Sequence, residues 1–366
     1  MERLTIGQRT LLWLSDSGIS NKRISQVLDY FGSPADLWDN FESEKYNLTM
    51  LEADTISKLS RIRISFEEKC LERLKREKVK IVTIFDEGYP KKLKQISGPP
   101  YLLYYKGSLD GINKISIAVI GSRKATSYGK WAAEKLTREL SELGVNIVSG
   151  LAVGIDAVAH KTALKYKAKT FGIIGSGINV VYPKKNLELF KQLSEDEKGA
   201  VITEYPFDMQ PVAFNFHDRN RIISGLSEGV LVIEAQEKSG TLITAGHAAD
   251  QGREIFALPG NIDSLYSRGT NALIRDGAKI TRSIDDIIEE IIELRERVKK
   301  QDALTDVTNL TDDEIKILNC LKSGKNTLDE LSRETKMDMG ELLSNLTFLE
   351  MKGAIRVNSD NVQLNN

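Results

Sequence analysis

The sequence predicts an α/β protein centred on a doubly wound, mostly parallel sheet. From Val79 onward, short apolar runs alternate with amphipathic helical stretches, the order expected of consecutive strand-helix-strand units. Almost every such run ends in glycine or a polar turn, and ligands of open α/β sheets sit outside the carboxyl ends of the strands. The flanks read differently, as short helices before the sheet and a compact module of helices with a short ribbon after it.

Residues 1–78 contain the helical stretches "TIGQRTLLWLSDSG", "NKRISQVLDYFG" and "SPADLWDN", then a charged amphipathic helix ending near Lys78. Within them, "GISNKRISQVLDYFGS" resembles a helix-hairpin-helix or SAM-like element, whose hairpin amides would suit a phosphate. With 13 basic and 13 acidic residues the segment is read instead as a small bundle that packs or binds protein. Residues 79–292 form the expected Rossmann-like domain, with strands at "KIVTIF", "ISIAVIG", "VNIVSG", "TFGIIG", "AVITEYP", "GVLVIEA" and "EIFALPG" and a short one near "AKIT". Residues 293–308 read as the end of a helix and a polar linker. Residues 309–366 have the order of a winged helix, three helices and a β-ribbon, but the recognition-helix candidate "DMGELLSNLTFLEMKG" carries three acids and one lysine. That charge favours a protein contact over duplex reading.

In "IAVIGSRKATSYGK", Ile117 to Ile120 are four apolar residues of a strand covered on both faces, and the helix that follows closes at Gly144. The turn between them, with the open amides of the next helix, predicts an anion site. It lacks the Rossmann G-x-G-x-x-G fingerprint. It is not a Walker A loop either: Gly121 and Gly129-Lys130 are too far apart, and Trp131 stands where a magnesium-binding hydroxyl is needed. An anion held without a magnesium nucleotide is the expectation.

Four further stretches repeat the theme. "VNIVSG" ends in Ser149-Gly150, and "GIIGSGINVVYPKKN" offers Gly175, Ser176 and Gly177 as a concave run of amides and a hydroxyl. "FNFHDRNRIISGLSEG" places Arg219, Asn220 and Arg221 at a helix start, the guanidiniums being either phosphate ligands or ion-pair partners of nearby acids. "EAQEKSGTLITAGHAADQG" puts Lys238, Ser239, Gly240 and Thr241 at another strand-to-helix turn. Such a series exceeds the needs of one mononucleotide.

The chain has 366 residues, 41% hydrophobic, enough for two or three domains and a large core. No apolar run approaches the roughly 18 residues of a membrane span, and the N-terminus lacks signal-peptide organisation, so a soluble cytoplasmic protein is expected. Cys70 and Cys320 form no motif and predict neither disulfide nor thiolate metal site. With 51 basic against 52 acidic residues, bulk-charge binding of polyanions is excluded and any nucleic-acid contact is local. His160 follows Asp156 by four residues and is read as orienting a turn; His217 and His247 have no ligand spacing. No catalytic, metal or cofactor residue is predicted.

Taken together, "YPKKLKQISGPPYLLYYKG", "IGSRKATSYG", "SGLAVGIDAVAH", "GSGINVVYPKKN", "TEYPF", "NFHDRNRIISGLS", "EKSGTLITAGHAADQGREIFALPG" and "SRGTNALIRDGA" resemble the DNA-processing protein A family (DprA, or Smf), in family order over about residues 87–285. The resemblance implies a Rossmann-like domain that binds single-stranded DNA, forms homodimers, and loads the RecA recombinase onto strands taken up in natural transformation and recombination. By motif match, Gly121, Ser122 and Arg123 would seat a phosphate, with Arg219, Arg221 and Lys238 next and one of these arginines held in structural pairing. Phe216 either stacks a base or packs in the core. In "NFHDRNR" the family usually has Pro where His217 stands, and Asp218 sets an acid beside the proposed ligands.

Two rival readings exist. Phosphoribohydrolases of the related Rossmann group carry a P-G-G-x-G-T-x-x-E turn; here "EKSGTLIT" lacks the glycine pair before Gly240-Thr241 and has Thr244 for the acid. A duplex-reading regulator would instead use the C-terminal module, whose acidic balance, 7 basic against 11 acidic residues from Ala303 onward, disfavours it.

Overall fold

The computed structural model describes residues 4–63, 66–195, 198–308, 310–352, 354–358 and 361–364. They divide into two compact units, Met1–Ile291 and Ile292–Asn366.

The first unit opens with helices α1 (Ile6–Asp16), α2 (Asn21–Phe31), α3 (Pro34–Glu44), α4 (Ala53–Arg63) and α5 (Phe66–Arg76). Thr5 and Gln8 close a reciprocal capping box on α1, while Ser20 and Ser33 cap α2 and α3, each satisfying amides the helix leaves open. Trp13 is the anchor of this layer. It is fully buried, meets Trp38 and Phe41 edge to face at 5.6 and 4.8 Å, and donates its indole N–H to Leu59 O at 3.0 Å. Its packing continues into the sheet, for Leu11, Trp13 and Phe41 share one core cluster with Tyr104, Val201 and Phe207. Tyr104 also donates to Ser15 Oγ at 3.0 Å, so residues 1–78 and the sheet are built around common side chains.

The sheet has nine strands: β1 (Lys80–Thr83), β2 (Leu102–Gly107), β3 (Ser116–Ile120), β4 (Asn146–Ser149), β5 (Thr170–Ile173), β6 (Gly199–Thr203), β7 (Gly229–Val232), β8 (Glu254–Ala257) and β9 (Lys279–Ile280), in the order β1-β2-β6-β5-β4-β3-β7-β8-β9. From β6 to β9 all neighbours are parallel; β2 joins β6 antiparallel and β1 joins β2 antiparallel. The doubly wound, mostly parallel Rossmann-like fold is therefore present, with a strand that the sequence reading left out. β2 lies in "PPYLLYYKG", an apolar run bounded by proline and glycine, the ordinary signature of a buried strand.

Parallel pairing demands crossovers, supplied by α6 (Ser127–Glu142), α7 (Ile155–Lys165), α8 (Leu187–Glu195), α9 (Ala213–Gly225) and α10 (Gly240–Asp250), followed by α11 (Arg268–Arg275) and α12 (Asp285–Glu290). The winding reverses at β3, which has β4 on one side and β7 on the other. A crevice at the carboxyl ends of these two strands is the expected place for a ligand.

In the second unit, α13 (Ile292–Thr308) is a continuous helix where the sequence predicts the end of a helix and then a polar linker. Its charged residues suit a helix as well as a linker, and composition alone does not separate the two. Then α14 (Asp312–Lys322), α15 (Leu328–Thr335), α16 (Met339–Met351) and the ribbon β10 (Ile355–Asn358) with β11 (Asn361–Leu364) make the winged-helix order. Glu314 is the key polar residue of this module. It is buried, completes the Thr311 capping box and takes the Lys352 ammonium on both oxygens at 2.7 Å.

Burial pushes the Glu314 carboxyl up, but the bonds from Lys352 and the Thr311 amide outweigh it and hold its pKa below the usual 4.5. A carboxyl more acidic folded than unfolded stabilises fully above the unfolded pKa and loses that contribution as pH falls through the folded one. Thermal unfolding of the full chain between about pH 5 and pH 3 will thus show the C-terminal transition falling as Glu314 takes up its proton. Glu314→Gln will be less stable at neutral pH and will flatten that decline.

Candidate functional site

A cleft of about 590 Å³ opens at the reversal point. Its walls come from the turn after β3 (Gly121 to Lys124), the start of α7 (Asp156), α9 (Phe216, His217, Arg219 and Asn220) and the turn into α10 (Ser239 to Thr241).

The β3 turn is shaped by close packing. A side chain on Gly121 would meet Ile155 at 2.7 Å, so only glycine lets the α7 helix seat here. Ser122 Oγ accepts from the Lys124 amide at 3.1 Å and Ser122 O from the Ile155 amide at 3.3 Å, which fixes the turn and points Arg123 into solvent at the cleft. The start of α6, expected to be the open anion site, is already taken. Glu234, buried just beyond β7, accepts from the Thr126 amide at 3.0 Å and from the Thr126 hydroxyl, while Thr126 caps the Gly129 amide at 3.0 Å. An internal carboxylate answers the positive end of this helix. The helices that begin at the cleft without a side-chain cap or an acid in their first turn are α9 and α10.

The α9 arginines part company. Arg219, 4% exposed, lies in the cleft floor, donates to Gly150 O at 2.9 Å and to Ile173 O, and uses Nε on Asn220 Oδ1 at 3.3 Å. Burial pulls its pKa down to about 10, against the attraction of Asp156 and with further repulsion from Arg123. Asp156 accepts the Gly150 and Ala152 amides at 3.1 and 3.4 Å, yet burial leaves its carboxyl above its usual pKa. Arg221 turns away from the cleft to pair with Glu204, whose side chain is 7% exposed, and, at 3.2 Å, with Asp218. Burial lifts Glu204 to about 7 despite that guanidinium. The Asp218 acid is thereby engaged with Arg221 and the Tyr205 hydroxyl.

Phe216 is half-buried on the cleft wall, with the Arg123 and Arg219 guanidinium carbons 5.7 and 5.9 Å from its ring centre and the exposed Tyr182 ring at 5.4 Å. It is in neither of the extreme positions weighed from the sequence. Arg123 makes no hydrogen bond or ion pair among the described residues, which leaves its five N–H donors for a ligand.

Gly121, Ser122, Arg123, Phe216, Arg219, Asn220, Ser239, Gly240 and Thr241 all line the cleft. The other predicted residues do not. Ser149 is fully buried and bonds Val119 O at 2.7 Å, and Gly150 is buried against Arg219 and Asp156. Gly175 packs under Phe216 and Asn215, Ser176 bonds Val180 O at 2.8 Å, and Gly177 lies against the Pro206 and Phe207 carbonyls. These glycines serve close backbone packing rather than an open cradle, and Arg221 serves Glu204. Lys238 is exposed on the loop before α10 but outside the lining. Sequence reading missed Lys124 and Tyr182, which do line it; their signals were a second cation beside Arg123 and the aromatic of "VVYPKKN".

His160 is buried with Nδ1 2.7 Å from Thr170 Oγ1, and burial drives its pKa to about 3, so it is a neutral packing residue. Burial likewise pushes the Cys70 thiol up to about 12. No group of acids, histidines and cysteines suited to a metal occurs among the described residues, and no helix among them is long and apolar enough to cross a membrane.

Residues 80–292 match the model of DNA recombination-mediator protein A, and residues 301–361 match that of the DprA winged helix domain. The chain belongs to the DNA recombination-mediator protein A family. The DNA processing protein DprA of Bacillus subtilis is 42% identical over 216 residues, which is 59% of this chain and 72% of that protein. The Streptococcus pneumoniae protein of the same name is 39% identical over 285 residues, covering 76% and 95%. Its crystal structure superposes with a TM-score of 0.68 at 35% identity over 79% of this chain and 99% of that one. DNA processing protein A from Helicobacter pylori, whose structure concerns a unique single-stranded DNA binding mode, matches with a TM-score of 0.53 at 30% identity over 58% and 96%.

Removing the Arg221 guanidinium strands Glu204 in the interior. Arg221→Ala is expected to cost about 3 kcal/mol in a denaturant titration, the scale of a broken buried ion pair, while Arg123→Ala stays within about 0.5 kcal/mol of the parent.

Proposed function

We propose that this chain binds single-stranded DNA along the cleft, with Arg123 as the principal phosphate ligand. The observation that carries the reading is an exposed, unpaired guanidinium on a rigid turn, set beside a half-buried aromatic ring and two uncapped helix starts. Gly121, Ser122, Ser239, Gly240 and Thr241 supply amides and hydroxyls to the strand's backbone, and Phe216 and Tyr182 offer faces for bases. Arg219 acts from below as a fixed charge. Backbone contacts of this kind track a flexible polyanion without reading sequence, which suits a chain whose net charge is only −1.

The family name and the binding mode described for the H. pylori relative support this reading. On it, the protein protects incoming strands and loads RecA onto them in transformation and recombination. It would do so as a homodimer joined near α11, where Ile262, Leu265 and Ile280 leave apolar groups exposed. Catalysis has no part in the proposal. At the rival enzymes' glutamate position Thr244 lines the cleft, and a hydroxyl there supplies no carboxylate for glycosidic cleavage.

A salt titration of oligomer binding tests the charge contact. Arg123→Ala should weaken binding to all sequences alike and reduce the magnitude of the salt slope by about 0.7, the single-strand value for one lost phosphate contact; an unchanged slope removes Arg123 from the interface. Incubation with nucleoside monophosphates should release no ribose phosphate at enzyme-like rates, and turnover would favour the hydrolase reading.

A further inference from the structure

We propose that Tyr128 and Trp131, on the first turns of α6, form a base-stacking platform that carries single-stranded DNA out of the cleft; the inference rests on the single-stranded DNA reading above.

Tyr128 and Trp131 are 52% and 57% exposed, although large aromatic side chains are ordinarily among the most buried. They stand three residues apart on one helix face, their rings 5.8 Å apart and tilted by 31°. The opposite face of α6 is buried through Ala132, Ala133, Leu136 and Leu140, so the fold does not need these two rings for its core.

The platform continues the cleft. Lys124 lines the cleft, and Tyr128 is four residues further on, within about 14 Å of chain. The Thr126 cap and Glu234 fix that stretch, so the path from cleft to rings is rigid.

Charge selects the occupant. Lys124 and Lys130 are exposed, and the Lys135 ammonium lies 5.9 Å from the centre of the Trp131 ring. The nearest acid on this part of the helix, Glu134, is engaged with Lys165 at 3.4 Å. Aromatic faces interleaved with ammonium groups match the alternation of base and phosphate in a single strand. An apolar protein surface would cover the rings and leave the lysines without partners.

The indole itself reports the contact. Of the three tryptophans, Trp13 is fully buried and Trp38 half-buried, so the exposed one is Trp131. Titrating the full chain with oligothymidylate, followed in parallel by anisotropy of a labelled oligomer, should quench tryptophan emission. Trp131→Phe should lose the quenching while keeping affinity. Trp131→Ala should bind about tenfold more weakly with an unaltered salt slope, because a neutral ring releases no counterions. If the oligomer binds but neither emission nor the affinity of Trp131→Ala changes, the platform is refuted, the cleft reading stands, and the rings are left to a protein partner. If the parent chain does not bind the oligomer at low salt, both fall.

Discussion

At the end of β7 the Glu234 carboxylate accepts two bonds from Thr126, one from its amide and one from its hydroxyl, and packs so tightly on Gly129 that a side chain there would come within 2.3 Å of it. This contact joins the ends of β3 and β7, neighbours at the reversal point, through the turn that bears Arg123. It also neutralises the helix end that an external anion would otherwise seek. The consequence is a division of labour within a few residues: the α6 start holds the scaffold together, and the cation beside it is left for solvent. The glycine at 129 leaves room for the carboxylate, and the hydroxyl at 126 both bonds it and caps the helix.

Burial sorts the basic residues in the same way. Arg219 and Arg221 are two positions apart on one helix, and a step of two residues turns a helix by just over half a revolution. One guanidinium therefore meets the carbonyls at the ends of β4 and β5, and the other meets Glu204 on the far side. Both were desolvated during folding. Arg123, on a turn rather than a helix interior, keeps its hydration and its freedom, which is what a reversible grip on a polyanion needs.

The fold was largely legible because parallel strands buried on both faces write continuous apolar runs such as Ile117 to Ile120 into the chain. β2 escaped because an antiparallel strand between two others has the same apolar run without the neighbouring helix that marks a crossover. Of the candidate site, the strand-to-helix pattern marks the turns at Gly121 to Arg123 and Ser239 to Thr241, while the choice of Arg123 comes with the family motif. The turns at Ser149-Gly150 and Gly175 to Gly177 could not be told apart from them, since a glycine that admits a ligand and one that admits a neighbouring carbonyl look alike in one dimension. The fate of Arg221 depended on Glu204, 17 positions earlier, and only the packing of α9 against the strand end reveals that pairing.

The sheet finishes on β9, two residues long and paired through Lys279 and Ile280 alone. So brief an edge offers almost no row of free amides and carbonyls for a foreign strand to zip onto. Any second molecule that docks along this margin must therefore be recognised by the chemistry of protruding groups, whose identity a single substitution can rewrite, rather than by the main chain, which mutation leaves unaltered.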